Sequence, residues 1–211
     1  MLIEPLIIEP TSASFPAALK DQEGGIVVSR LWAMGPIDLL QKPLLGLFCS
    51  ARCPGEVILR SYDLARALRD AGVPVISGFH SPLEKECLDL LLRGSQPVVI
   101  CPARSIERLR LPIEWRQAVE DGRLLILSPF AGRHRRPTVQ LAEQRNDCVA
   151  ALAGCVVVAY AAPGSKTEQF CQLLLSRQRP VILLDSAVNE SLLALGARAL
   201  SIDRIIGLVR L

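Results

Sequence analysis

The sequence predicts an α/β protein with a Rossmann-like, doubly wound fold: a mostly parallel sheet of about six or seven strands with helices on both faces. Short apolar runs alternate with amphipathic helical patterns along the chain, which is typical of right-handed βαβ units. Half of the 211 residues are hydrophobic but only 4% are aromatic, so we expect an aliphatic core. Aliphatic strands of this kind are typical of parallel sheets buried on both faces.

The apolar runs are short enough for buried strands, and each is followed by a loop and a helical pattern. We predict strands at 44–49, 73–76, 97–101, 123–127, 155–160 and 181–184. We predict helices from near Val57 to Gly72 and at 82–93, 112–120, 138–152, 166–176 and 189–195. Residues 1–42 are expected to form a lead-in, with strand pieces at 26–28 and 31–34, that packs on a Rossmann-like domain at 43–211.

Glycine, serine and proline support the predicted helix ends. Gly72 and Gly94 stand where a C′ glycine would end a helix. Ser81 suits the N-cap of the second helix, and Pro82 suits its first turn. No linker separates two domains, so a single globular domain is predicted.

Composition and charge limit the partners, the metal sites and the cellular compartment that the sequence predicts. A net charge of +3 does not by itself indicate a nucleic-acid or membrane partner. The seven cysteines include no C-x-x-C pair and no second close pair for a metal, so we expect buried reduced thiols, no metal and a reducing compartment. The N-terminus has no basic leader and no apolar run reaches transmembrane length. The expectation is a cytoplasmic protein with no membrane partner.

Ligands of open α/β sheets bind beyond the carboxyl ends of the strands, where this chain has several loops rich in small residues. The loop 163–168 combines a glycine, two hydroxyls and a lysine at a helix start, which suits a phosphate. It is not a Walker A loop, because the second glycine before the lysine is missing. An ordinary turn in which Ser165 or Thr167 caps the helix explains the loop equally well.

Two groups of basic residues are further candidates for binding a phosphate-bearing ligand. The run Arg133-His134-Arg135-Arg136 would suit contacts to a phosphate backbone, or form a solvated surface loop. Arg145 and Asn146 lie within a partly apolar helix, where an unpaired buried charge would be costly. They hold the sheet edge together or reach a ligand, unless their face of the helix is exposed. Neither a G-x-G-x-x-G nor a G-x-S-x-G motif is present, so no catalytic residue and no cofactor are assigned.

The order of these motifs resembles the DNA-processing protein A family (DprA, also called Smf), which is related to the lonely-guy and lysine-decarboxylase-like group. The chain has counterparts of the family's first-strand loop, its Ser-Gly turn, its Arg-Asn helix and its Ser-Gly-Ser-x-x-Thr loop. These counterparts are Cys49-Ser50-Ala51-Arg52, Ser77-Gly78, Arg145-Asn146 and Gly164-Ser165-Lys166-Thr167. The resemblance begins near Phe15-Pro16, runs to about residue 200, and covers the family's Rossmann-like domain only.

The resemblance implies a homodimer that binds single-stranded DNA through a positively charged pocket during DNA uptake in natural transformation and recombination, with a recombinase as a further partner. The residues that it places at the nucleotide or DNA phosphates are Ser50, Arg52, Ser77, Gly78, Arg145, Asn146, Gly164, Ser165, Lys166 and Thr167. Arg133, Arg135 and Arg136 would extend this basic path.

Two alternatives use the same fold. A small-nucleotide sensor would bind a mononucleotide tightly, with little gain from longer strands. A nucleotide phosphoribohydrolase similar to the lonely-guy enzymes would use a carboxylate after the phosphate loop, where this chain has Glu168.

Overall fold

The computed structural model describes residues 4–20, 28–185 and 187–209. The nine strands are β1 Leu6–Ile8, β2 Leu31–Met34, β3 Leu44–Cys49, β4 Val75–Ser77, β5 Val98–Ile100, β6 Leu124–Ser128, β7 Ala153–Tyr160, β8 Val181–Leu184 and β9 Arg198–Leu200. The α-helices are α1 Gly55–Asp70, α2 Pro82–Leu91, α3 Ile113–Glu120, α4 Val139–Leu152, α5 Lys166–Ser176, α6 Glu190–Ala194 and α7 Ile202–Val209. Short 3₁₀ turns occupy Ala17–Leu19, Ile37–Gln41 and Ala187–Asn189.

The nine strands form one sheet in the order β1-β2-β6-β5-β4-β3-β7-β8-β9. The seven strands β6, β5, β4, β3, β7, β8 and β9 are all paired in parallel. At one edge of the sheet, β2 pairs antiparallel with β6, and β1 pairs antiparallel with β2. The chain winds outward from β3 to β6 and then crosses back to continue with β7 on the other side of β3. The order therefore reverses between β3 and β7, and such a topological switch point is where open α/β sheets bind ligands.

Alternate residues of β3 face opposite layers, which confirms a sheet covered by helices on both sides. Leu45 and Leu47 pack into one core with α1, α2, α3 and α7. Leu44 and Phe48 pack into the other core with α4, α5 and α6. The ring centroids of Phe48 and Phe170 of α5 are 4.9 Å apart. Both cores are largely aliphatic, as predicted.

The sheet has nine strands rather than six or seven. The strands at its two edges are too short for the alternation of apolar and polar residues to reveal them. β1 and β9 have three residues each, and each buries only one of them. Both are strands because they pair with a neighbouring strand: β1 with β2, and β9 with β8. Helix α7 was also not predicted. Residues 26 and 27 of the predicted strand piece 26–28 lie outside the described residues, and residue 28 is not in a strand.

Most other bounds shift by one or two residues. The second predicted strand begins at Val75 instead of Val73 because the preceding residues close helix α1, where the amide of Val73 donates to the carbonyl of Leu68 at 2.9 Å. None of the described helices is long and apolar enough to cross a bilayer.

Candidate functional site

A cleft of about 450 Å³ opens at the switch point, between the loops that follow β3 and β7 and the starts of α2 and α5. A serine on each loop joins the two sides, because Ser50 Oγ lies 3.1 Å from Ser165 Oγ. Ser50 Oγ also accepts the amide of Ala162 at 2.9 Å. The lining residues are Phe48, Cys49, Ser50, Ala51, His80, Ser81, Pro82, Glu84, Ala142, Arg145, Asn146, Ser165, Lys166 and Thr167. The chain thus brings together six of the ten residues predicted at the phosphates.

The loop before α5 is shaped by its own carboxylate. Ser165 is the N-cap and accepts the amide of Glu168 at 3.2 Å, which confirms its capping role. Glu168 is buried and accepts the amide of Gly164 at 2.7 Å and the hydroxyl of Ser191 at 2.9 Å. Gly164 has a φ of 72°, a conformation that favours glycine. The Gly164 amide is therefore engaged inside the loop, and Glu168 does not line the cleft.

The first two amides of α5, those of Lys166 and Thr167, donate to no acceptor in the described part of the chain. Because amides at a helix start carry partial positive charge, they suit an anion in the cleft. The ammonium of Lys166 lies 3.0 Å from Oε1 of Glu143. Both side chains are at least half exposed, so this ion pair contributes little to stability and leaves the lysine available.

Arg145 is the cation that the structure buries in this cleft. It lies in α4 and is only 5% exposed. Its Nε donates to Oδ1 of Asn146 at 2.8 Å, and Nη1 donates to the carbonyl oxygen of Cys101 at 3.2 Å. Within residues 4–20, 28–185 and 187–209 it forms no ion pair. A buried charge with only neutral partners is costly, so a negatively charged ligand in the cleft would stabilise it.

The Ser77-Gly78 turn makes room for this arginine. A β-carbon at Gly78 would lie 1.1 Å from Nη1 of Arg145, so no other residue fits while the guanidinium stays there. Ser77 is fully buried, and its hydroxyl accepts the amide of Phe79 at 3.2 Å. Ser77 and Gly78 do not line the cleft; they hold the turn against which Arg145 packs.

Sequence reasoning missed Glu84, a buried carboxylate that joins two of the loops. It accepts the amides of Cys49 at 2.9 Å, His80 at 2.8 Å and Ser81 at 3.2 Å, while Ser81 caps α2 by accepting the Glu84 amide. The Ser-x-x-Glu spacing is that of a capping box and could have revealed the local half of this arrangement. The bond to Cys49, 35 residues away, depends on the fold.

The remaining predicted cations lie outside the cleft. Arg52 is exposed and is not among the lining residues, although Ala51 beside it is. Arg133 donates through Nε to Nε2 of His134 at 3.1 Å, and both residues border a separate depression of about 340 Å³. Arg135 and Arg136 are exposed.

The cysteines near the cleft are poor nucleophiles. Burial raises the pKa of the Cys49 thiol and raises the pKa of Cys87 to about 12, so both thiols are protonated at neutral pH. All seven cysteines are free thiols. Within the described ranges, no cluster of three or more His, Cys, Asp or Glu side chains could hold a metal ion.

Comparison with known proteins agrees with this architecture. The family model of DNA recombination-mediator protein A matches residues 6–204. DNA processing protein A of Streptococcus pneumoniae superposes with a TM-score of 0.79 at 17% identity, covering 96% of this chain and 74% of that one. DNA processing protein A of Helicobacter pylori, whose structure was described for its single-stranded DNA binding mode, superposes with a TM-score of 0.75 at 21% identity, covering 98% and 97%.

A more distant likeness is the molybdenum cofactor binding protein of Rippkaea orientalis, with a TM-score of 0.56 at 16% identity, covering 80% of this chain and 96% of that one. No curated protein matches the chain. At these identities the structural likenesses establish the fold.

Proposed function

Because this chain belongs to the DNA recombination-mediator protein A family, we propose that it is a DNA-processing protein that binds single-stranded DNA by its phosphates in the cleft between β3 and β7. The buried guanidinium of Arg145 carries the proposal, since it lines that cleft without a carboxylate partner among the described residues. A phosphate would supply the missing charge, and a charge-assisted hydrogen bond is among the stronger interactions in proteins.

The proposed roles of the lining residues follow from their contacts. Arg145 and Lys166 supply the positive charge, and Asn146 orients the guanidinium through its 2.8 Å bond to Nε. The hydroxyl of Thr167 and the amides of Lys166 and Thr167, which have no acceptor among the described residues, complete the donor set. Ser50 aligns the phosphate loop through its bond to Ser165.

Ser77, Gly78 and Gly164 support the site by shaping its loops. Arg52 and the exposed arginines at 133, 135 and 136 belong to the proposal as contacts for phosphates further along a strand. A path of this kind favours DNA over a single nucleotide, because counterion release grows with the number of phosphates bound.

Membership of the family supports the parts of the proposal that go beyond the cleft itself. The Helicobacter pylori relative is described as binding single-stranded DNA. A homodimer, a recombinase partner, a role in natural transformation and a cytoplasmic location are parts of the same proposal, and family membership is their support.

A titration with oligodeoxynucleotides of graded length at two salt concentrations tests the proposal. We expect affinity to rise with length and to fall with salt, with a logarithmic slope of about −0.7 for each phosphate bound. Arg145→Gln should weaken binding roughly tenfold or more, since a hydrogen bond to a charged group contributes about 1.5–3 kcal/mol. Arg204→Gln is the matched control, because Arg204 is exposed on α7 and outside the cleft.

Two results would contradict the proposal. Equal affinities of the Arg145→Gln and Arg204→Gln proteins would show that the cleft does not bind phosphate. A mononucleotide that binds as tightly as the longest strand would instead support the small-nucleotide sensor, since no further phosphates would then contribute.

A further inference from the structure

The rim of the phosphate cleft carries a histidine to which the proposed function assigns no role. His80 lies in the loop after β4, is exposed, and lines the cleft together with Arg145 and Lys166. It also lines a neighbouring cavity of about 410 Å³ on the other side of the segment 78–80. Within the described ranges its imidazole forms no hydrogen bond and no ion pair. An unpartnered ring with two nitrogens therefore borders the proposed phosphate site.

We propose that His80 is a titratable phosphate contact of the cleft, which binds DNA in its protonated form and makes the chain bind DNA more tightly at mildly acidic pH. The inference rests on the proposed function, because the phosphate that His80 contacts is the one held by Arg145. It adds regulation by pH to a site whose other cations, an arginine and a lysine, stay charged throughout the physiological range.

The backbone on either side of the imidazole is fixed before any ligand binds. Phe79 is buried and has a φ of 44°, in the left-handed region that bulky residues rarely adopt. Its amide donates to Ser77 Oγ at 3.2 Å, and the amide of His80 donates to Oε2 of Glu84 at 2.8 Å. Such strained conformations concentrate at binding sites. Only side-chain torsions of His80 remain to be ordered on binding, which limits the entropy lost.

Positive charge predominates around the imidazole. Glu84 is occupied by three backbone amides, and Glu143 pairs with Lys166 at the cleft margin. The thiol of Cys49 stays protonated, because burial raises its pKa. A protonated His80 in the free protein therefore faces more positive than negative charge. Among the described residues, the cations of the two cavities are Lys85, Arg104, Arg145 and Lys166, and the carboxylates are Glu84 and Asp89.

A bound phosphate reverses this balance. Its negative charge offsets the cations and its oxygens accept from the protonated ring, so the phosphate favours the charged form of His80. The proton comes from solvent and stays on the ring nitrogen, whose N–H donates to a phosphate oxygen. Because the two equilibria are linked, protonation strengthens DNA binding by the same factor by which DNA strengthens protonation. Histidine changes its charge between pH 5 and 8, so this linkage acts near neutral pH.

The pH dependence of DNA affinity tests the role of His80. The probe is an oligodeoxynucleotide that fills the cleft and has hydroxyl groups at both ends. Phosphodiesters keep their single charge across the range, whereas a terminal phosphate would itself titrate there. At constant ionic strength, we expect the wild type to bind about two- to fivefold more tightly at about pH 5.5 than at about pH 8, which is the range of a partly exposed ion pair.

Two substitutions at position 80 set the limits of the expected behaviour. His80→Gln has no charge and should bind at both pH values as the wild type does at the higher one. His80→Lys is always charged and should bind at both as the wild type does at the lower one. His134→Gln is the control and should keep the pH dependence, because His134 is the only other histidine of the chain and borders a separate depression. Circular dichroism establishes that each variant folds.

Calorimetry in buffers of different ionisation enthalpy counts the protons taken up. A linkage of two- to fivefold corresponds to a maximum uptake of about 0.2–0.4 proton per strand bound. This uptake should be absent from His80→Gln and from His80→Lys. A histidine that only shaped the turn would change affinity on substitution without changing the number of protons.

The outcomes separate the two proposals. A wild type without pH dependence, or a dependence that persists in His80→Gln, overturns the role of His80 and leaves phosphate binding in place. Failure of the strand to bind in a salt-dependent manner at either pH overturns the proposed function and the role of His80 with it.

Discussion

The guanidinium of Arg145 occupies the space in which any residue other than glycine at position 78 would carry its β-carbon. That carbon would lie 1.1 Å from Nη1 and 1.9 Å from Cζ. The relationship makes the Ser77-Gly78 turn and the Arg145-Asn146 pair one structural feature, although they lie in different βα units. It also makes a small change at Gly78 a specific test of the arginine's position.

Gly78→Ala should displace the guanidinium and weaken oligonucleotide binding at least as much as Arg145→Gln does. The φ of Gly78 lies outside the left-handed region, so alanine is opposed by the clash with Arg145 and not by the backbone. We expect a cost of about 1–3 kcal/mol in unfolding free energy, which is typical of overpacking. Urea unfolding and fluorescence anisotropy measure the two effects. Gly55→Ala is the control, because nothing lies within 4 Å of its β-carbon position. Unchanged DNA binding by Gly78→Ala would show that the packing of Arg145 against Gly78 does not matter for binding.

Glu143→Gln should strengthen DNA binding. The substitution removes the carboxylate 3.0 Å from the ammonium of Lys166 and lowers the negative charge at the cleft margin. We expect a gain of roughly two- to fivefold at low salt that shrinks at high salt, as for a weak exposed pair. Glu120→Gln, an exposed residue at the end of α3, is the charge-matched control. A gain of the same size in both variants would attribute the effect to net charge alone.

The exposed arginines of the loop after β6 should matter only for long strands. In the double variant Arg135→Ala/Arg136→Ala, a strand that fills the cleft should bind normally and a longer strand should bind more weakly. The salt slope for the long strand should become less steep by about 0.7 for each phosphate that the variant no longer neutralises. Arg198→Ala/Arg204→Ala removes two other exposed cations and serves as control. An equal reduction in affinity for short and long strands would place these arginines outside the path of the DNA.

Asp147→Asn should stabilise the protein at neutral pH. Burial raises the pKa of Asp147 in the folded state, so the folded protein binds this proton more tightly than the unfolded chain does. Stability from this group is therefore lost as pH rises from the ordinary value of 3.8 through the folded pKa. Asparagine has no such loss, so the variant should exceed the wild type above that range and match it below pH 3.8.

Urea unfolding across this pH range measures the effect, with Asp70→Asn as a control of opposite sign. The hydrogen bond from Arg69 lowers the pKa of Asp70, so its carboxylate contributes stability above its ordinary pKa, and asparagine would lose it. Stability differences of the same sign in both variants would contradict this assignment.

Local patterns predict the order of the elements from β2 to α6, but they reveal neither the edge strands β1 and β9 nor helix α7. The bounds of β3, α5 and β8 follow from the sequence because a short apolar run or a capped amphipathic helix is recognisable without its neighbours. The position of the site at the carboxyl ends of the strands follows from the same alternation, since parallel strands bring their exit loops to one edge.

The tertiary structure decided which residues meet there. Ser50 and Ser165 are 115 residues apart and become neighbours only because β3 and β7 pair at the switch point. Arg145 looks the same in the sequence whether its face of α4 is buried or exposed, and packing against Gly78 buried it. Arg52 directly follows the lining residue Ala51 in the sequence, yet it does not line the cleft itself. Side-chain burial depends on partners from distant segments, and the periodicity of one segment contains no information about them.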